Sequence, residues 1–435
     1  MRRIGQIEKW RWATWAVWWV IAGAVTLAAP APLVGVTNNV TLEEAIRLAL
    51  ASNPSLRASS ARMDASLGRA EQARKWPNPE LEIKTEEWPV SRGRGFSDAK
   101  HTLAIAQTLP YPGKKSLDQQ VAGAEVKLSE TELALRRTEL VRDVKIGFYR
   151  VLALERLVGV STQLLAVAEA SAATAQRRVE AGAAAYQEQL RAEVQLEQVT
   201  AEVGEYQREW AVARQRLATL LGHPELKDAT FTGTLAESAD DPALTPEDPA
   251  WLARHPSTAA AQTHLDRARL AYRRTRLEPY PDIKLALGGG RIGETDHGII
   301  ELGISLPLPL IDRGKGKQQE ALAQVKMAEA ELHHVQQLLQ QELANALKRY
   351  RTAAAQVARH RERLLPKAEE ALRLVQQGFE EGKFNFMDLL DTQRTAAEAR
   401  LAYWQKLLEL NVARAELEAL LRPQPIAPSL SDKPL

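Results

Sequence analysis

From Leu117 onward the apolar positions step by three and four: Leu117, Val121, Ala124 and Leu128, then Leu140, Val144, Phe148 and Val151. That spacing is the seam of an α-helix, and no proline interrupts it between Pro112 and Pro224. The pattern predicts a helix over 116–181, ~99 Å long at 1.5 Å per residue, and a second over 187–221. Upstream, Thr41-Leu42-Glu43-Glu44 is a capping box that opens a helix running to Trp76, ahead of Pro77. The two flanking helices, 41–76 and 187–221, together span ~106 Å, so laid end to end they match the long one. A compact core has no use for a helix of that length, whereas a bundle or tube does.

Between the first helix and the long one the period changes to two. Leu81-Glu82-Ile83-Lys84-Thr85 and Leu103-Ala104-Ile105-Ala106-Gln107 alternate as strands, with a Gly/Ser-rich loop, 89–97, between them. The second half of the chain then repeats the order: strands at Ile283-Lys284-Leu285-Ala286-Leu287 and Ile300-Glu301-Leu302-Gly303-Ile304, a loop from Gly288 to Gly298, and helices over 250–278, 316–381 and 387–421. Local matches recur at about 200 residues. Asn53-Pro54 answers to His255-Pro256, Leu109-Pro110-Tyr111-Pro112 to Leu306-Pro307-Leu308-Pro309, and Leu164-Leu165-Ala166 to Leu364-Leu365-Pro366. Two units are expected, 41–222 and 250–421, joined by a proline-punctuated linker, 223–249, and followed by a disordered tail, 422–435. Pro366 faces Ala166 in this comparison, and a proline inside a helix kinks it, so the second long helix should bend or break near Leu365.

The fold class that follows is mainly α with a small β part: long helical hairpins in tandem, plus four strands per chain. Strands of roughly 8–10 residues have the length of membrane-spanning β-strands. Four cannot close a barrel, since the smallest membrane barrels need about 8, so the chain should oligomerise, and three copies would supply twelve.

Composition narrows the setting. Of 435 residues, 57 are Lys or Arg and 55 Asp or Glu, giving a net charge of +2 with no global electrostatic case for nucleic acid. Cysteine is absent, which excludes disulfides, thiolate metal sites, cysteine nucleophiles and an N-terminal lipid anchor on cysteine. Residues 1–31 order a basic stretch (Arg2, Arg3, Lys9, Arg11), an apolar run from Trp12 to Leu27 and the small residues Ala28, Ala29, Pro30, Ala31. This is the anatomy of a secretory signal peptide cleaved near Ala29 or Ala31, with an uncleaved anchor as the alternative. Beyond Pro32 no run of ~18 apolar residues follows, so a membrane crossing would have to be made by strands.

Several motifs taken together resemble the TolC family of outer-membrane efflux ducts, and within it the CzcC-like heavy-metal branch. They are Leu42-Glu43-Glu44-Ala45 with Asn53-Pro54, the run from Gln107 to Lys115, Leu365-Pro366-Lys367-Ala368-Glu369, Glu381-Gly382, and Phe386-Met387-Asp388-Leu389-Leu390-Asp391. The resemblance covers nearly all of 41–421. It implies a homotrimer with a twelve-stranded barrel in outer-membrane lipid and a helical tube in the periplasm, meeting a periplasmic adaptor and an inner-membrane pump of the RND type. It also implies two helix-turn-helix tips, at Glu180-Ala181-Gly182-Ala183 and Glu381-Gly382-Lys383-Phe384, and a pore constriction at Asp388 and Asp391. Spacing of i, i+3 puts both carboxylates on one helix face, and three-fold symmetry would gather six of them into a ring that attracts cations and repels itself. Where the family's TolC member has a basic gating residue, this chain has Phe384 beside Lys383.

The plainer readings stand beside these. Asp388 and Asp391 are equally the acids expected at a helix N-terminus. His333-His334 point in different directions on a helix and make no metal pair. The glycines at 288–290 open no phosphate-binding helix, and no nucleophile–base constellation is readable, so neither catalysis nor a cofactor is expected. The leading function is a passive duct for divalent heavy-metal cations, with drugs or secreted protein as other cargoes. A periplasmic coiled coil without a pore explains the helices but leaves the four strands without a purpose.

Overall fold

The computed structural model describes residues 39–88, 95–237 and 251–423. The signal segment 1–31, all but the first two residues of the tail 422–435, most of the 89–97 loop and the linker from 238 to 249 lie outside the described residues.

The chain opens with a two-residue strand, β1 (Asn39–Val40), and helix α1 (Leu42–Ser52), whose cap is Thr41 accepting from the Glu44 N–H at 3.3 Å. The single helix expected over 41–76 is in fact two. Asn53 ends α1 in extended backbone and caps α2 (Pro54–Arg74), its Oδ1 accepting from the N–H groups of Ser55 at 2.9 Å and Leu56 at 3.2 Å. Pro54 supplies the first turn, where its missing N–H costs nothing. The second unit breaks at the matching place, with α5 (Trp251–Arg254) and α6 (Pro256–Thr275) separated by His255.

The long helix α3 (Lys114–Glu180) has 67 residues, ~100 Å. It packs with α4 (Tyr186–Leu221). One of its 18-residue windows is apolar enough to cross a membrane, against the sequence expectation, but α3 gives twenty buried residues to the protein's interior. In the second unit α7 (Lys315–Arg359) stops short, a π-helical turn occupies His360–Leu364, and α8 (Leu365–Glu380) continues to the tip before α9 (Phe386–Leu421) returns. The expected break near Leu365 is this wider turn. Pro366 lacks an N–H for the Glu362 carbonyl and its ring crowds it, and the helix absorbs the conflict by widening.

Four strands form one antiparallel sheet in the order β2 (Glu80–Glu86), β3 (Lys100–Leu109), β5 (Ile283–Ile292), β6 (His297–Ser305). The central β3–β5 pairing joins the two units. Gly288, Gly289 and Gly290, expected in a loop, lie inside β5. Their role is close approach. A Cβ on Gly288 would come within 2.6 Å of the Ala104 Cβ and the Leu103 carbonyl oxygen, and one on Gly290 would collide with the His101 carbonyl.

The sheet has two unlike faces. Leu81, Ile105, Leu287 and Leu302 form one row across the strands, and Ile83, Leu103, Gly289 and Ile300 the next. Their apolar side chains are exposed, Ile300 by 87%. On the opposite face the rows read Glu80, Ala106, Ala286, Gly303 and Glu82, Ala104, Gly288, Glu301, and Lys284 bonds both Glu80 at 2.8 Å and Glu82 at 2.6 Å. Among the described residues, the outer strands β2 and β6 each leave one edge unpaired.

Midway along the helices a strap crosses the bundle. After a 3-10 turn at Pro224–Asp228, β4 (Thr230–Phe231) pairs in parallel with β1. Phe231 enters a core with Phe148, Val144, Leu217 and Leu221. Leu235 touches that core and also the second one, formed by Tyr350, Val357, Leu407, Leu410 and Leu417 of α7 and α9.

Candidate functional site at the helical tips

Both hairpins end in the same backbone device. Gly182, at φ +69°, donates to the Val179 carbonyl at 2.9 Å while Ala183 donates to Arg178 at 2.8 Å. Gly382, at φ +75°, donates to Phe379 at 3.0 Å while Lys383 donates to Gly378 at 2.7 Å. Each is a Schellman cap, which needs a left-handed residue after the helix and therefore favours glycine. Glu180 and Glu381 thus sit at the ends of their helices, with Ala181, Gly182, Ala183, Gly382, Lys383 and Phe384 in exposed turns.

Beyond the cap the tips diverge. At the second, Asn385 accepts from the Asp388 N–H at 2.9 Å and gives its own N–H to Asp388 Oδ2 at 3.1 Å, a full capping box. The first has Ala185 in the cap position with no side-chain bond. One of the two candidate acids is therefore also the stabiliser of a helix start. Its signal, Asn-x-x-Asp over 385–388, was present in the sequence and passed over. Asp391 is exposed one turn further on, on the same face, and its carboxylate has no hydrogen bond among the described residues. Arg394 nearby is held by Glu398 at 2.7 Å.

Lys383 forms an ion pair with Glu381 at 2.5 Å within its own turn. That contact, with a hydrogen bond from Gln377, holds the Glu381 carboxyl below its ordinary range. Phe384 packs the Cδ2–Cε2 side of its ring against Gly378, where any Cβ would collide with it. The anchor between the tips is Phe386, which the sequence offered only as the first residue of the run to Asp391, with no role of its own. It is 3% exposed, packed on Ala175 and Ala192 of the first hairpin, under the Arg178 guanidinium at 5.8 Å. Among the described residues no three His, Asp or Glu side chains gather as metal ligands.

The model of the outer membrane efflux protein family matches residues 45–223 and 249–421. The chain belongs to this family. Among its members, the cobalt-zinc-cadmium resistance protein CzcC of Cupriavidus metallidurans is 30% identical over 88% of the chain and 90% of its own length. The nickel and cobalt resistance protein CnrC of the same organism is 25% identical, over 73% of each. Among solved structures, the CmeC outer membrane channel of Campylobacter jejuni superposes with a TM-score of 0.77 at 13% identity, covering 87% of this chain and 85% of that one. That likeness establishes the fold.

Proposed function

We propose that this protein is the outer-membrane duct of a three-part exporter and that its cargo is a divalent heavy-metal cation. The observation that carries the duct is the sheet. It has one exposed apolar face, one polar face and two open edges, set at the end of ~100 Å helices. That is a third of a twelve-stranded barrel wall, with apolar side chains toward lipid and polar ones toward a lumen. Exposed Trp76 and the stacked Tyr111–Tyr280 pair at one end of the sheet, and Trp88 with Phe96 at the other, suit the two membrane interfaces.

Three copies give twelve strands and close the wall. The helices of the trimer then form a periplasmic tube whose tips, 180–183 and 381–384, meet a periplasmic adaptor above an inner-membrane pump of the RND type. Asp388 and Asp391 are repeated three times around the axis at the narrow end, a ring that draws cations in. Metal cargo is supported by the names of CzcC and CnrC. The chain performs no catalysis; energy comes from its partners. A coiled coil without a pore would have no use for an apolar sheet face exposed to water.

The test is single-channel recording in planar bilayers. Wild type should give a small cation-selective conductance, and Asp388→Ala with Asp391→Ala should enlarge it or abolish selectivity. Absence of conductance from well-folded protein would refute the duct. For cargo, deletion should sensitise cells to cobalt, zinc or cadmium; sensitivity to drugs instead, or failed secretion of a protein, would reassign it.

A further inference from the structure

The near-repeat makes one internal contact a template for a contact between copies. Within the chain, α9 of the second hairpin docks on the first: Phe386 sits on Ala175 and Ala192 beneath Arg178, and Ser171 Oγ lies 3.5 Å from Gln393 Oε1. The first hairpin's counterpart of α9 is α4, and its matching face is bare. Tyr186, Leu190 and Val194, spaced by four along one side of α4, are 61%, 43% and 57% exposed. Shifted by the 200 residues that relate Gly182 to Gly382, the surface that receives Phe386 becomes Val375, Thr392 and Gly378. There too apolar groups stand in solvent, with Leu374 49% and Phe384 43% exposed.

We propose that the α4 stripe of each copy docks on the α8 face of a second copy of this chain, Tyr186 closing over Phe384 where that ring lies on Gly378, so that the tips are latched shut by an apolar contact between copies. The occupant is a second copy because the chain itself shows how such a hairpin face is filled. The asymmetry between the two hairpins gives the contact its character. Arg178 over Phe386 is replaced by Gly378 with a phenylalanine folded onto it, so the intermolecular seam stacks two aromatic rings where the internal one sets a cation on one. Lys383, the lysine of this turn, is already held by Glu381. The proposal rests on the trimeric reading above and adds to it which residues meet and how the narrow end is held closed.

The absence of cysteine makes the test clean. The Ser171–Gln393 pair transposes to Ala371 and Glu193, both exposed, so the full-length Glu193→Cys/Ala371→Cys variant in outer membranes should be joined by a short bismaleimide into covalent dimers and closed trimers on denaturing gels. Ser171→Cys/Gln393→Cys, the internal pair, should crosslink without a gain in mass. Trimers by native mass with no crosslink at 193/371 would overturn the latch and leave the duct standing; a monomer by native mass would overturn both. In bilayers Tyr186→Ala should raise single-channel conductance at least twofold, while Tyr186→Phe should match wild type. Equal behaviour of the two substitutions would remove the aromatic contact from the gate.

Discussion

Asn411 grips the backbone of Ala236 by both its polar groups: the Ala236 N–H donates to Asn411 Oδ1 at 3.0 Å, and Asn411 Nδ2 donates to the Ala236 carbonyl at 3.0 Å. The asparagine is completely buried on α9, and its amide also donates to Leu407 at 2.8 Å. A side chain here replaces the strand that would otherwise pair with the strap. Asn411→Leu, close in size, strands two backbone groups in the interior, and each buried polar group left unpaired costs about 1–3 kcal/mol. The urea midpoint of the solubilised protein should fall accordingly, and Asn411→Asp should lose at least as much, because its buried carboxylate keeps the Ala236 N–H but faces the Ala236 and Leu407 carbonyls with no proton to give.

Gly222 ends α4 at φ +75°, against the end of α1. A Cβ there would stand 2.6 Å from the Ser52 carbonyl oxygen and 2.8 Å from its carbon. Gly222→Ala therefore meets backbone rather than a side chain that can swing away, on top of the left-handed strain, and should cost more than about 2 kcal/mol. Gly182→Ala, with the same sign of φ but open space around it, should cost about 1 kcal/mol. Comparing the two in one unfolding series separates strain from collision.

His255 occupies the place of Asn53 in the second unit. It is 5% exposed, and its Nδ1 accepts from the Ser257 N–H at 3.2 Å. Burial pushes its pKa down to about 4 from 6.5. The folded-state value lies below the unfolded one, so the neutral form's stability is whole above pH 6.5, declines as pH falls, and is gone below about 4. The shift corresponds to roughly 3 kcal/mol, and protonation also removes the acceptor that caps α6. Melting measured from pH 7 to 4 should show this loss, and His255→Asn, which borrows the first unit's cap, should flatten it.

Asp388 and Asp391 should separate on mutation. Asp388→Ala removes a carboxylate from the proposed constriction and also breaks the box with Asn385, costing about 1 kcal/mol at the tip. Asp391→Ala removes charge alone. Both should reduce cation selectivity in bilayers, but only the first should increase protease cleavage at 381–386. Equal protease sensitivity would show that the capping box does not hold the turn.

Much of this was readable from residues. The Thr41 box, the period-two runs, the glycines of the tips and the proline facing Ala166 each state a local rule, and local rules survive into the fold. What was missed depends on distant partners or on two rules in conflict. Asn53-Pro54 stops one helix and starts another; the expectation of a single helix followed the apolar period and overlooked the cap. Gly288 to Gly290 look like a loop because glycine's usual meaning is freedom, and only the approach of β3, far away in sequence, makes them strand. Phe386 has the spacing of any helix-face residue, and nothing local says that its partners are alanines some two hundred residues earlier. The π-turn is where the proline rule met tertiary packing that kept the helix going.

Opposite the apolar face, the middle of β3 and β5 carries almost no side chain: Ala104, Ala106, Ala286, Gly288 and Gly290 follow one another across it. A wall so bare offers natural selection little to work on. Substitutions that change what leaves the cell must fall elsewhere, at the tips or among the charged rows toward the sheet's edges, while any larger residue in the middle is removed for disturbing strand pairing. The outer orifice of such a protein should therefore be slow to diverge and exchangeable between exporters, with the history of cargo written in a few codons at the far end.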